Sequence, residues 1–105
     1  FKQAMKLAPK SHEPVNDLAF TLATAKDERF RDVTKALVLA EQAISMAQQD
    51  HWNTMDTLAV ARASVNDFEG AAQAIKKALE LAPENKRPMV KAHQELIAAQ
   101  QPIRE

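Results

Sequence analysis

Apolar residues recur at helical spacing in the second half of the chain, in two stripes separated by a short polar turn. Met55 and Leu58 lie one turn apart on the first stripe, as in an amphipathic helix. Asn66 and Asp67 then interrupt the pattern, because Asn tolerates the left-handed conformation that ends many helices and Asp is a preferred N-cap. The pattern predicts two helices joined by a turn, and the second ends at Pro83 because proline cannot continue a helix.

The second stripe carries small residues where packed helices approach each other. Ala71 and Ala78 lie on the same face as Ile75. A larger side chain at either alanine would force two helix axes apart, since protein interiors are filled to crystal-like density. One helical hairpin cannot bury both of its apolar faces, so we expect further copies of this unit in the chain.

The hairpin matches a known repeat signature. The tetratricopeptide signature is W-x2-L-G-x2-Y, then A-x3-F, then P, in a unit of about 34 residues. Its seven positions are filled here, in order, by Met55, Leu58, Ala59, Arg62, Ala71, Ile75 and Pro83, and Ala78 is a later small residue. The segment therefore resembles a tetratricopeptide repeat (TPR). Arg62 stands where an aromatic residue is usual, and its apolar stem can cover core surface while its charged head reaches water.

Other segments repeat parts of the same spacing. Residues 1–9 resemble residues 75–83 and indicate the tail of a preceding repeat, or else a solitary cap. Residues 12–50 form a divergent repeat with an enlarged turn, residues 52–85 form the clearest repeat, and residues 86–101 form a capping helix. The resemblance implies an all-α fold, a TPR-like superhelix of antiparallel helix hairpins in a single domain over residues 1–105. The alternative is an unrelated alanine-rich helical bundle.

The same spacing assigns residues to buried faces and helix ends. We expect Leu18, Met55 and Leu58 in the core, and Asp32 as an N-cap. Phe30, in the charged turn, is expected to fold back under that turn, although an aromatic beside arginines can also anchor a partner. The expected stripe of the capping helix comprises Met89, Ala92, His93, Leu96 and Ile97.

Composition narrows the class of protein. Lys plus Arg and Asp plus Glu both number 14, so no net field attracts nucleic acid or an anionic membrane. No apolar run approaches the roughly 18 residues of a membrane span, and we expect a soluble protein whose compartment the sequence does not indicate. The chain starts at Phe1 inside a helical pattern, so we expect a C-terminal fragment of a longer protein. The enlarged turn and the cap resemble those of bacterial TPR proteins.

The residues do not form a pattern typical of an enzyme. His12, His51 and His93 are far apart in sequence and lack the short spacing of metal ligands. We expect the first two to be exposed and His93 to be a half-buried packing residue. The chain has no cysteine and no glycine-rich phosphate loop. We therefore expect no catalysis, no metal and no cofactor.

The resemblance implies a binding function, because the first helices of TPR hairpins line a concave groove that receives peptides or extended protein segments. We expect a mixed groove, mildly acidic at one end and basic near the cap, with Phe20 and Val60 as apolar contacts. Clamping of a C-terminal carboxylate is not expected, since the two full first helices offer Asn16 and Asn53 but no cation on that flank. The expected groove residues are Asn16, Phe20, Thr24, Asn53, Asp56, Val60, Ser64, Arg87, Lys91 and Gln94.

Two other functions fit the same sequence. The N-terminal half-repeat, with Phe1, Met5 and Leu7, lacks the helix that would cover its apolar face and could form a homodimer. Alternatively, the module could tether an enzyme encoded elsewhere in a longer chain.

Overall fold

The computed structural model of the chain describes residues 12–47, 51–101 and 103. Over these residues the protein consists of helices and connecting turns, which confirms the all-α class. The predicted half-repeat at residues 1–9 lies outside the described residues. The helices are α1 (His12–Thr24), α2 (Val33–Met46), α3 (Trp52–Ser64), α4 (Phe68–Leu81) and α5 (Arg87–Ala98), with a 3-10 turn at Glu84–Lys86 before α5.

The helices pack as two hairpins and a final helix. α1 packs against α2, and α3 against α4. α3 also packs against α1 and α2, while α5 packs against α4 and the edge of α3. Because it has neighbours on several sides, α3 is the most buried of the described helices, with 9 of its 13 residues buried. A single apolar cluster runs through the hairpins and the final helix.

Alanines form the closest helix contacts. Ala36 and Ala40 on α2, and Ala71 and Ala78 on α4, have no exposed surface. Ile75 is 1% exposed and fills the space between these small residues. The prediction that alanines lie where helices approach each other is confirmed for this part of the chain. Small side chains at these positions let the helices pack at the density that is usual in protein interiors.

Local signals in the sequence set the helix ends. The side chain of Asp32 accepts a hydrogen bond from the backbone N–H of Lys35, and that of Asp67 accepts one from Gly70. Asn66 has a φ of 66°, in the left-handed region that Asn tolerates. A Cβ atom at Gly70 would lie 2.4 Å from Oδ2 of Asp67, so a glycine here leaves room for the cap. Both predicted caps are confirmed.

Arg62 joins the two helices of the second hairpin. Its guanidinium donates a hydrogen bond to the backbone carbonyl of Gly70, with an Nη1–O distance of 3.2 Å. The head of the side chain therefore reaches across to the start of α4, where we expected it to reach water. This position is aromatic in the TPR signature. Here its side chain has a polar role at the turn.

Two of the three expected core residues are buried. Met55 is 8% exposed and Leu58 is 6% exposed, as predicted. Leu18 is 46% exposed, so the prediction that it is a core residue was wrong. Among the described elements α1 packs mainly against α2 and α3, and its face at Leu18 lacks the cover that α3 receives on its several sides.

The final helix is rotated from the expected orientation. It buries Val90, His93 and Ile97, whereas Met89 and Leu96 are 43% and 38% exposed. His93 and Ile97 were predicted correctly, but the stripe through Met89, Ala92 and Leu96 was not. The face that α5 buries is the one that packs against α4 and the edge of α3, so tertiary contacts rather than the repeat spacing set its orientation.

Within the described residues, none of the helices has both the length and the apolar character that a membrane crossing requires.

Candidate functional site

A groove of about 310 Å³ opens where α1, α3 and α5 meet. These helices are separated from one another in sequence by α2 and α4, so the hairpin packing brings the walls together. Both polar and apolar side chains face the opening. The groove is lined by Asn16, Asp17, Phe20, Thr21, Asn53, Asp56, Thr57 and Met89.

A buried carboxylate–imidazole pair forms the floor of the groove. Oδ1 of Asp56 on α3 lies 2.8 Å from Nδ1 of His93 on α5, and the two side chains are only 3% and 6% exposed. The ring of Phe20 on α1 lies over this pair, 6.1 Å from the His93 ring centroid and tilted by 42°. A polar bond and a ring contact thus hold the three helices together at one point.

Asn16 forms part of the wall beside this floor. The residue is 2% exposed, and its side-chain Oδ1 has no hydrogen-bond partner. A buried acceptor without a partner costs on the order of 1–3 kcal/mol. Most buried polar atoms in proteins are hydrogen-bonded, so this exception needs an explanation.

The rim of the groove carries a negative charge. Asp17 is exposed and makes no ion pair with any residue that the structure describes. Thr21, one turn further along α1, is also exposed, and Met89 contributes a half-exposed apolar side chain from α5. None of the described residues that line the groove is a lysine or arginine.

Four of the ten residues expected in the groove line it: Asn16, Phe20, Asn53 and Asp56. Val60 has no exposed surface, so its predicted role as an apolar contact was wrong. Thr24 is 2% exposed and its hydroxyl donates to the carbonyl of Phe20, while the Ser64 hydroxyl donates to the carbonyls of Ala23 and Val60. The Ser64 bond to Ala23 therefore joins α3 to α1, the Thr24 bond lies within α1, and none of these three residues is in the groove lining.

The three expected groove residues on α5 lie on another flank of that helix. Gln94 lines a separate pocket between α4 and α5, together with Ala98. Arg87 and Lys91 share a helical stripe with Gln94 and Ala98, at spacings of three and four residues. Met89 is the α5 residue that lines the groove, so the expected basic end near the cap is absent from the described lining.

Sequence reasoning missed four lining residues, namely Asp17, Thr21, Thr57 and Met89. Three of them directly follow a residue that was named, so they lie next to it on the helix. Helical spacing alone could have found them. Met89 was missed because it was assigned to the core stripe of α5, whereas the structure leaves it 43% exposed at the groove.

The first two histidines meet at the edge between the hairpins. The rings of His12 and His51 stack, with centroids 5.1 Å apart and planes 22° from parallel. Both residues are half-buried, so the expectation that they are exposed was wrong. In the part of the chain that the structure describes, no group of three or more His, Cys, Asp or Glu side chains could hold a metal ion.

The charged turn between α1 and α2 presents Phe30 outward. Its side chain is 65% exposed, which contradicts the expectation that it folds back under the turn. The guanidinium of Arg29 lies 5.7 Å from the Phe30 ring centroid and bonds to Asp27, with an Nη2–Oδ2 distance of 2.8 Å. Hydrogen bonds from the side chain and backbone of Arg29 lower the pKa of Asp27 below its usual value.

The fold places this chain among all-α proteins built from helical hairpins. No protein-family model matches the chain, and no curated protein or solved structure matches it. Its function must therefore be inferred from its own residues.

Proposed function

We propose that this chain is a non-catalytic protein-interaction module that binds an extended segment of a partner protein along the groove between α1, α3 and α5. The observation that carries the proposal is the convergence of three helices, not consecutive in sequence, on one open groove with mixed polar and apolar walls. Such concave sites with a few placed polar groups are the usual sites of ligand binding.

The proposal includes a TPR-like arrangement of the hairpins. Supporting it, α2 and α4 begin 35 residues apart, at Val33 and Phe68, as do α3 and α5. Buried alanines recur at the same spacing, since Ala36 and Ala71 are both fully buried, as are the alanines seven residues further along each helix. Stacked units that each contact their neighbours bury a continuous core and leave one concave face open.

The side chains in the groove suit an extended peptide. Asn53 is only half-buried, and its amide can both donate to and accept from a peptide backbone. Phe20 and Met89 supply apolar surface, and methionine adapts its shape to different partners. A ligand of this kind gains affinity from main-chain hydrogen bonds and selectivity from individual side chains.

The burial of Asp56 and His93 argues against acid–base catalysis by this pair, which favours binding as the function of the groove. Asp56 and His93 are the residues of the groove floor most similar to an acid–base pair, but their side chains are 3% and 6% exposed and covered by Phe20. A general base must come within hydrogen-bond reach of the proton it removes. The pair therefore serves as a tie between helices. Self-association through Phe1, Met5 and Leu7 falls outside the described residues, and a tethering role stays an alternative.

A matched pair of threonine variants tests the proposal. Peptides that bind the chain would first be selected from a displayed random library. Thr21→Arg places a long cation on the groove rim, and Thr34→Arg makes the same change at an exposed position on α2, away from the groove. We expect Thr21→Arg to weaken binding about tenfold or more through steric and charge conflict, and Thr34→Arg to leave it unchanged. Titration calorimetry measures both affinities.

Both threonines are exposed on helices, so neither change should alter stability by more than about 0.5 kcal/mol. Equal weakening by the two variants, no weakening by Thr21→Arg, or the failure of any peptide to bind would each overturn the groove as a binding site.

A further inference from the structure

The groove also indicates the chemistry of its ligand. Resting on the proposed function, we infer that the groove selects a segment of a partner protein that carries a lysine or arginine side chain next to an apolar one. Three features of the described residues converge on this ligand: the charge of the rim, an unpaired acceptor in the wall, and apolar surface beside both.

The first feature is uncompensated negative charge. The exposed carboxylate of Asp17 lines the groove and makes no ion pair in the described part of the chain. The second carboxylate, that of Asp56, is bonded to His93 at the floor. Whatever charge His93 carries can offset Asp56 alone, so the rim keeps the charge of Asp17. A cationic group on the ligand complements it.

The second feature is the side chain of Asn16, which directly precedes Asp17 on α1. It is nine-tenths buried in the groove wall, and its Oδ1 lacks a donor. Ammonium and guanidinium groups offer several N–H donors and no acceptor. Because the Asn16 oxygen is itself buried, a lysine or arginine head that contacts Asp17 supplies the missing donor only if the wall opens when the ligand binds. An anionic head has no donor for this oxygen.

The third feature is apolar surface next to these polar groups. Phe20 lies one turn from Asn16 on α1, and Met89 faces it from α5 with 43% of its surface exposed. The stem of a lysine or arginine, and an apolar side chain beside it, would cover this surface while the charged head reaches Asp17.

The placement of the cations argues against an acidic ligand. Arg87 and Lys91, on the final helix, are exposed on the flank that faces away from Met89. They cannot form the end of a groove that would hold a carboxylate, and the lining that the structure describes supplies no other cation. The charge of the groove thus differs from that of the chain as a whole, which is zero.

Two variants that remove the same charge test the inference. Asp17→Asn keeps the size of the side chain in the groove, and Glu41→Gln removes an exposed carboxylate from α2, far from the lining. The probes are the tightest peptide from the displayed random library and its copy with each lysine or arginine replaced by glutamine. Fluorescence anisotropy gives the affinities at low and at high salt.

We expect the selected peptide to contain lysine or arginine. Asp17→Asn should weaken its binding about two- to fivefold at low salt, as for an exposed ion pair, and Glu41→Gln should not. High salt should reduce the difference. The glutamine copy should bind wild-type protein more weakly and should no longer distinguish Asp17→Asn from wild type.

Two failures can be told apart. In the first, the selected peptides lose affinity for Thr21→Arg but lack a cation or bind Asp17→Asn as tightly as wild type. This result overturns the preference for a basic ligand and leaves the groove as the binding site. Peptides that are indifferent to Thr21→Arg overturn both the groove and its preference.

Discussion

At the residue scale, one hydrogen bond between two buried side chains joins α3 to α5 at the groove. Asp56 and His93 are 37 positions apart in sequence and bond at 2.8 Å in a site that is almost fully buried. A buried polar group is retained at low cost only when its partner is present. The Phe20 ring completes the site, so that α1, α3 and α5 are held at fixed distances by side chains rather than by backbone connections.

Asp56→Ala should reveal this tie as lost stability. His93 would lose its bond to the carboxylate in a buried site, and we expect the free energy of unfolding to fall by about 1–3 kcal/mol. Urea denaturation followed by circular dichroism measures the change. The control is Asp17→Ala, an exposed carboxylate of the same groove, which should change stability by no more than about 0.5 kcal/mol. Equal effects of the two substitutions would contradict a structural role for the pair.

At the scale of the helices, burial depends on how many neighbours an element has. Leu58 on α3 and Leu18 on α1 are each the seventh residue of their helix, yet they are 6% and 46% exposed. α3 packs against α1, α2, α4 and α5, whereas α1 packs mainly against α2 and α3 and reaches α5 through the Phe20 ring. The same residue type at the same helix position is therefore core in one hairpin and half-exposed in the other.

This difference gives a matched pair of substitutions. Leu58→Ala should destabilise the protein by about 2–5 kcal/mol, because it removes buried methyl groups and leaves a cavity. Leu18→Ala removes the same atoms from a half-exposed site and should cost less than half as much. Thermal or chemical denaturation compares the two. The facing assigned to α3 would be wrong if Leu58→Ala melts like the wild type.

The sequence predicted most of this level of structure. Helical periodicity and caps are local, so the two hairpins, the N-caps at Asp32 and Asp67 and the left-handed Asn66 could all be read from neighbouring residues. The rotation of α5 could not, because it depends on how that helix packs against α4 and α3. The bond between Asp56 and His93 was also beyond local reasoning, since it depends on how α3 and α5 meet.

The candidate site was predicted in part for the same reason. Helical spacing placed four residues on flanks of α1 and α3 that do line the groove, namely Asn16, Phe20, Asn53 and Asp56. The residues expected on α5, namely Arg87, Lys91 and Gln94, were assigned to the wrong face of that helix. Val60 lies on the correct flank of α3 for a groove, but the packing of α1 against α3 covers it completely, and burial of this kind follows only from the tertiary contacts.

At the scale of the whole molecule, the hairpins and the final helix pack into one compact unit. The Cα radius of gyration is 13.1 Å, close to the roughly 13 Å expected for a compact domain of about 100 residues. Among the described residues, α1, α3 and α5 line a groove where they meet, and a separate pocket lies between α4 and α5. The local charge of that groove, set by Asp17, matters more for a partner than the neutral balance of the chain.

The central claim is that a partner segment lies in this groove, and a map of amide chemical shifts on peptide binding tests it most directly. With a peptide selected for binding, we predict that the ¹H–¹⁵N shifts that change most belong to residues of α1, α3 and α5 around the groove, including Asn16, Thr21 and Asn53. The exposed positions Val38 on α2 and Gln73 on α4 should change little. Shifts concentrated around Val38 and Gln73, with the groove residues unaffected, would contradict the account.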